Sequence, residues 1–190
     1  MYIALSYKEI VNSPEALEVL INSCIQNDRK AQNQLYRMFY PRLLPMALRY
    51  LSDHNLAEEV LHDCFLKVYK NIHTFKYKGS FEGWIKVILR RTIIDYVRYK
   101  LKDKEHIVLT EDDNTKDFDV PTDALLYEDL LQLIHALPET TRIIFNLFII
   151  EGIPHKKIAK ELKISEGTSK WHVHKAREIL QKKIIDMKLL

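Results

Sequence analysis

The sequence predicts an all-α fold made of two small helical domains joined by an acidic linker. Three observations carry this. Apolar residues recur at three- and four-residue steps through most of the chain, which is the spacing of buried helical stripes. Four glycines and six prolines in 190 residues leave little material for the turns of an all-β fold. Charge falls in blocks. Residues 1–19 hold one Lys against three acids, and residues 20–105 hold sixteen Lys plus Arg against nine acids. Residues 106–135 then hold one Lys against eight acids, and residues 136–190 hold eleven bases against six. Two basic blocks are thus separated by a strip of charge −7, while the whole chain carries only +3. The start of that strip lacks helical periodicity and carries turn formers, so residues 106–122 are expected to be a linker. It divides a first domain, 14–105, from a second, 123–190, behind an extension, 1–13, to which no role is assigned. Two basic modules on one tether can grip separated stretches of a polyanion, each raising the effective concentration of the other.

The elements follow in order. Ser13-Pro14-Glu15 is a helix start, and the helix is expected to run to about Gln26. Asn27 and Asp28 mark a turn. Ala31, Leu35, Phe39 and Leu43 then form a long apolar stripe, which Pro41 and Pro45 are expected to kink or interrupt. Ser52, Asp53 and Asn55 make the next break. A helix over Leu56–Asn71 buries Leu61, Phe65, Val68 and Ile72, and on another side it gathers Glu59, His62 and Asp63 at i, i+3 and i+4, with Leu66 beside them. Such a face is either solvated surface or a docking surface.

The loop HTFKYKGSF is aromatic and basic together, with Gly79 as its hinge. A helix from Ser80 to about Lys102 follows, anchored by Phe81, Trp84, Ile85 and Ile88, with Phe81 and Trp84 expected in the core. Arg91, Arg98 and Lys102 lie near one line down its side, a stripe able to neutralise successive phosphates. Rings beside such a stripe can carry unstacked bases, which points to single-stranded nucleic acid. A solvated basic face above a buried aromatic core fits the same residues.

The stretch GIPHKKIAKELKISEGTSKWHVHKAREIL, 152–180, reads as two helices joined by a tight turn. Pro154 opens the first, which buries Ile158, Ala159 and Leu162. Ser165 caps the second, with Glu166 facing the positive end of its dipole. Ser169, Val173, Ala176 and Leu180 form its expected buried stripe. Thr168, Trp171 and Lys175, flanked by His172 and His174, then face outward with Lys170, as a helix laid in a DNA major groove requires. A helical hairpin with a solvated outer face has the same pattern.

Several classes are disfavoured. No apolar run reaches the roughly 18–20 residues of a membrane span, and the N-terminus does not look like a secretion signal. Cys24 and Cys64 form no disulfide framework. His172/His174 and His62/Cys64 are pairs two residues apart, roughly 200° apart on a helix, so neither can chelate one metal. No catalytic spacing is present. The expectation is a cytoplasmic, non-enzymatic protein with no cofactor and no metal.

These segments together resemble the extracytoplasmic-function (ECF) sigma factors, initiation subunits of bacterial RNA polymerase. The resemblance runs from about Leu17 to Leu180 through AEEVLHDCFLKVYKNIHTF, GSFEGWIKVILRRTIIDYVR, LPETTRIIFNLFIIEG and IAKELKISEGTSKWHVHKAREIL, in family order. It implies a sigma region 2-like domain and a sigma region 4-like helix-turn-helix domain.

By that resemblance, Glu59, His62, Asp63 and Leu66 dock on the clamp helices of the polymerase's largest subunit, with His62 where the family usually has Gln. Lys76, Tyr77 and Lys78 would hold a flipped base of the melted minus-ten element, and Arg91, Arg98 and Lys102 its backbone. Thr168, Lys170, Trp171, His172, His174 and Lys175 would read the duplex minus-thirty-five element. Ser169 stands where the family commonly has Val, its hydroxyl expected to bond back to a carbonyl one turn earlier. The resemblance also implies an anti-sigma factor as partner. The competing class is a stand-alone helix-turn-helix regulator with an N-terminal sensor or dimerisation domain, although no heptad or dimer helix supports it.

Overall fold

The computed structural model describes residues 7–103 and 127–188, so the expected linker lies outside the described residues. All regular structure among them is helical: α1 (Tyr7–Asn12), α2 (Pro14–Ile25), α3 (Arg29–Tyr50), α4 (His54–Asn71), α5 (Phe81–Asp103), α6 (Tyr127–His135), α7 (Glu139–Phe145), α8 (His155–Leu162) and α9 (Glu166–Lys188). A 3-10 turn (Ile72–Thr74) follows α4, and a π-helical turn (Asn146–Ile150) extends α7. No described helix is long and apolar enough to cross a membrane. Contacts divide the chain into two compact units. Of the described residues, one comprises those up to Ala47 with His54–Thr92; the other comprises Leu48–Asp53 with those from Ile93 onward.

In the first unit local signals set the helix ends. The Ser13 hydroxyl accepts from the Ala16 N–H at 3.2 Å, capping α2 as its sequence predicts. Asp28 accepts from the Lys30 and Ala31 N–H groups at 2.8 and 3.3 Å and starts α3. The stripe Ala31, Leu35, Phe39 and Leu43 is fully buried. Leu61, Phe65 and Val68 of α4 and Ile85 and Leu89 of α5 are buried as well, and Phe39 meets Phe81 of α5 at 5.5 Å. Burying a side chain of this size contributes roughly 1.5–3 kcal/mol.

The prolines do not interrupt this helix. α3 runs unbroken through Pro41 and Pro45. The two rings are exposed, and the carbonyls they leave unbonded belong to Arg37 and Pro41, which are also exposed. Water can take those carbonyls, so the prolines cost hydrogen bonds without ending the helix.

In the second unit Arg142 is almost wholly buried. Its guanidinium donates to the carbonyls of Tyr50 at 2.9 Å, His135 at 2.9 Å and Leu137 at 3.1 Å. Burial lowers its pKa, opposed by Glu139. His135 Nε2 lies 2.8 Å from the Leu48 carbonyl, and the Asn146 amide donates to that of Arg49. Three carbonyls at the end of α3, orphaned by helix geometry, thus find partners within this unit. Lys163 closes α8 in the left-handed conformation, and its N–H donates to the Ala159 carbonyl. The Ser165 hydroxyl then caps α9 by accepting from the Thr168 N–H at 2.9 Å. The turn between the two helices is therefore fixed at both ends.

Candidate functional site

Three exposed surfaces collect the residues singled out by the sequence. The first lies on α4, where Glu59, His62, Asp63 and Leu66 are all exposed, Leu66 at 66%. Burial of Leu61, Cys64, Phe65 and Val68 on the other side of the helix turns this face outward. The His62 ring lies 5.6 Å from that of Tyr36, itself against Phe65 at 4.7 Å. An apolar side chain held in water among carboxylates suits a partner that is both apolar and basic.

The second surface is the loop before α5. Lys76, Tyr77 and Lys78 are exposed. Tyr77 adopts φ 56°, a left-handed conformation that costs a non-glycine residue roughly 1–2 kcal/mol. Gly79 follows at φ 136°, a region open essentially only to glycine. The Ser80 hydroxyl accepts from the Gly83 N–H at 3.0 Å and fixes the start of α5. Below the loop, Phe75 meets Tyr77 at 4.8 Å, Phe81 at 5.0 Å and Trp84 at 5.7 Å. Phe81 is buried, whereas Trp84 is only half-buried and stacks on it. The strained backbone of Tyr77 carries no signature in the sequence. On α5, Arg91 is exposed, and Arg98 is paired with Asp95 at 2.6 Å. Lys102 falls in the last turn of α5, and its side chain lies outside the described residues.

The third surface is the outer side of α8 and α9. Lys170 and Lys175 are exposed, and Trp171 and His174 are half-buried. Two residues expected there turn inward: Thr168 is 7% exposed and His172 is 4% exposed. Thr168 Oγ1 sits 2.8 Å from the capping Ser165 hydroxyl, which draws it toward the turn. His172 Nδ1 meets Thr141 Oγ1 at 2.9 Å, tying α9 to α7, and burial lowers its pKa to about 4. The spacing 169, 172, 173, 176 is itself an i, i+3, i+4, i+7 stripe, so the buried face is wider on the His172 side than Ser169, Val173 and Ala176 alone define.

Ser169 is fully buried, and its Oγ lies 2.9 Å from His155 Nδ1 instead of bonding back along its helix. His155 in turn stacks on Phe148 at 3.9 Å. Its pKa is lowered by burial, then by Lys170. Lys156, Lys157 and Lys160 on α8, which the sequence reading passed over, are exposed opposite buried Ile158, Ala159 and Leu162. They add cations beside α9. Glu178 accepts from Lys175 at 3.0 Å and lies 3.4 Å from His174, while Glu166 lies 3.5 Å from Lys170. Such exposed pairs contribute little and can open when a phosphate arrives.

Comparison with known proteins finds two family models that match successive segments of the chain. The family model for sigma-70 region 2 matches residues 35–102, and that for sigma-70 region 4 matches residues 127–180. The ECF RNA polymerase sigma-E factor of Haemophilus influenzae is 26% identical over 88% of this chain and 94% of its own length. The ECF RNA polymerase sigma factor SigX of Bacillus subtilis is 27% identical over 78% of this chain and 80% of its own. A solved structure from Bartonella quintana, the sigma factor RpoE with the anti-sigma factor NepR, aligns at 21% identity and a TM-score of 0.46. That alignment covers 79% of this chain and 94% of the other.

Proposed function

The chain belongs to the ECF subfamily of RNA polymerase sigma factors, and from that premise we propose how its three surfaces divide the work of initiation. The protein is a transcription initiation factor: it binds core RNA polymerase and directs it to promoters. Glu59, His62, Asp63 and Leu66 dock on the clamp helices of the largest subunit. Lys76, Tyr77 and Lys78 hold an unpaired base of the minus-ten element, and Arg91, Arg98 and Lys102 neutralise its backbone. Lys170, Trp171, His174 and Lys175 read the upstream duplex element from the major groove, with Lys156, Lys157 and Lys160 on its phosphates. Thr168 and His172 hold the reading helix in place.

The observation that carries this is the Tyr77 ring. It is exposed on a strained backbone between two lysines and rests on Phe75, an arrangement suited to stacking one unpaired base. Base stacking of this kind is worth about 1–3 kcal/mol and needs no particular base. The protein itself makes and breaks no bonds, since synthesis belongs to the polymerase. It acts in the cytoplasm, and an anti-sigma factor is its expected inhibitor.

Run-off transcription of a fragmented genomic library by core polymerase, with and without this protein, tests the reading. New transcripts starting a fixed distance from a shared two-part motif support it. No new transcripts, no core binding and a two-fold footprint on DNA would instead indicate a stand-alone regulator.

A further inference from the structure

Residues 1–13 carry no assigned role, and the matched region 2 segment begins only at residue 35. The structure nevertheless ties α1 into the first unit by specific contacts. Ile10 is 2% exposed. The Tyr7 ring packs edge-on against Phe39 at 5.6 Å, with the Arg42 guanidinium 3.3 Å above it. The Tyr7 hydroxyl donates to Glu82 Oε2 at 2.5 Å, and Lys86 takes Oε1 at 2.7 Å. Both oxygens of Glu82 are therefore held, one from α1 and one from α5 itself. Burial alone would raise the Glu82 pKa; the bonds from Lys86 and Tyr7 outweigh it and keep the carboxyl below its ordinary range.

Glu82 stands in the first turn of α5, directly after the exposed loop. A second route reaches the same loop through rings. Phe39 meets Phe81 at 5.5 Å, Phe81 meets Phe75 at 5.0 Å, and Phe75 meets Tyr77 at 4.8 Å. A continuous series of edge and tilted ring contacts thus runs from Tyr7 to Tyr77.

We infer that Tyr7 is a positioning residue for the capture of unpaired bases. It fixes the first turn of α5 through Glu82 and, through Phe39 and Phe81, the seat of Phe75 on which the Tyr77 ring rests. This deepens the function proposed above and rests on it. A left-handed tyrosine persists only where its surroundings over-determine it, and helix ends fray unless tied. A hydrogen bond to a charged group is among the stronger ties available to such an end.

The test uses the full chain with core polymerase and a fork DNA unpaired over the start region, read by fluorescence anisotropy. Tyr7→Phe keeps the ring on Arg42 and Phe39 and removes only the bond to Glu82; Tyr7→Ala removes both. Tyr7→Phe is expected to weaken unpaired-strand binding about five-fold, with core affinity and upstream-duplex affinity unchanged. In a Tyr77→Ala background the same change is expected to cost less than about two-fold, because the ring it positions is gone. A full additive cost in that background would show that Tyr7 acts on the fold at large and would overturn the proposal. Wild-type binding of the unpaired strand by both Tyr7 variants would overturn it equally. Should the wild-type chain bind core yet fail to bind the unpaired strand, the functional reading falls and this proposal falls with it.

Discussion

The imidazole Nδ1 of His172 lies 2.9 Å from the hydroxyl of Thr141, and this contact turns a residue expected on the outer face of α9 into the core. Its Nε2 is buried with no hydrogen-bond partner among the described residues, so a second proton there would be a buried, unpaired charge. Burial accordingly lowers the pKa from the ordinary 6.5 to about 4. Between those values the unfolded chain binds a proton that the folded one does not, so stability rises with pH across that window. The contribution is complete above about pH 6.5 and is lost as pH falls toward 4; over the window it is on the order of 3 kcal/mol. Denaturant melts of wild type and His172→Gln from pH 4 to pH 7.5 check this. The variant should lose that part of the pH dependence, and parallel curves would remove His172 as its source.

A second expectation concerns the exposed side of α9. Lys175 is surface-exposed and paired with Glu178 on the same helix, so Lys175→Ala should leave stability within about 0.5 kcal/mol of wild type. If it contacts one phosphate, the slope of log affinity against log salt for the upstream duplex should fall by about 0.9. Trp171→Ala should weaken binding without changing that slope. Equal slopes for Lys175→Ala and wild type would show that Lys175 neutralises no phosphate.

How much of this was legible depended on whether a signal was local. The caps at Ser13 and Ser165 were readable because the hydroxyl and the N–H it serves lie three residues apart. The exposed face of α4 was readable because its buried residues keep strict helical spacing. That α3 continues through Pro41 and Pro45 was not readable, since it depends on whether the freed carbonyls reach water, which tertiary packing decides. His172 and His155 were misjudged or passed over because their partners, Thr141 and Ser169, lie 31 and 14 residues away. The role of α1 was invisible for the same reason, Tyr7 and Glu82 being 75 residues apart.

Docking on the polymerase gives a third test. Asp63 is exposed on α4 between His62 and Cys64, and only the latter is buried. Asp63→Arg should fold as wild type, within about 0.5 kcal/mol, while cancelling the negative charge of the proposed docking face. Core affinity measured by titration should fall by about ten-fold or more, and Leu66→Ala should weaken it as well. Normal core affinity in Asp63→Arg would remove α4 as the docking element.

The loop itself separates stability from function. Tyr77 occupies φ 56°, where glycine sits without strain, so Tyr77→Gly relieves a cost of roughly 1–2 kcal/mol. The same change gives up the ring contact with Phe75 and adds backbone freedom to the unfolded chain, each worth roughly 1 kcal/mol. These effects nearly cancel, so the folding stability should stay within about 1 kcal/mol of wild type. Affinity for an unpaired strand behaves differently, because it needs both the ring and its fixed direction. Losing one stacked base removes about 1–3 kcal/mol, a drop of roughly 5- to 150-fold. Tyr77→Phe keeps the stacking face and should bind nearly as wild type, whereas Tyr77→Gly should not. Calorimetry for stability and anisotropy on fork DNA for binding check the two halves separately. A Tyr77→Gly chain that is as stable as wild type and still binds the fork normally would show that the exposed ring carries no base.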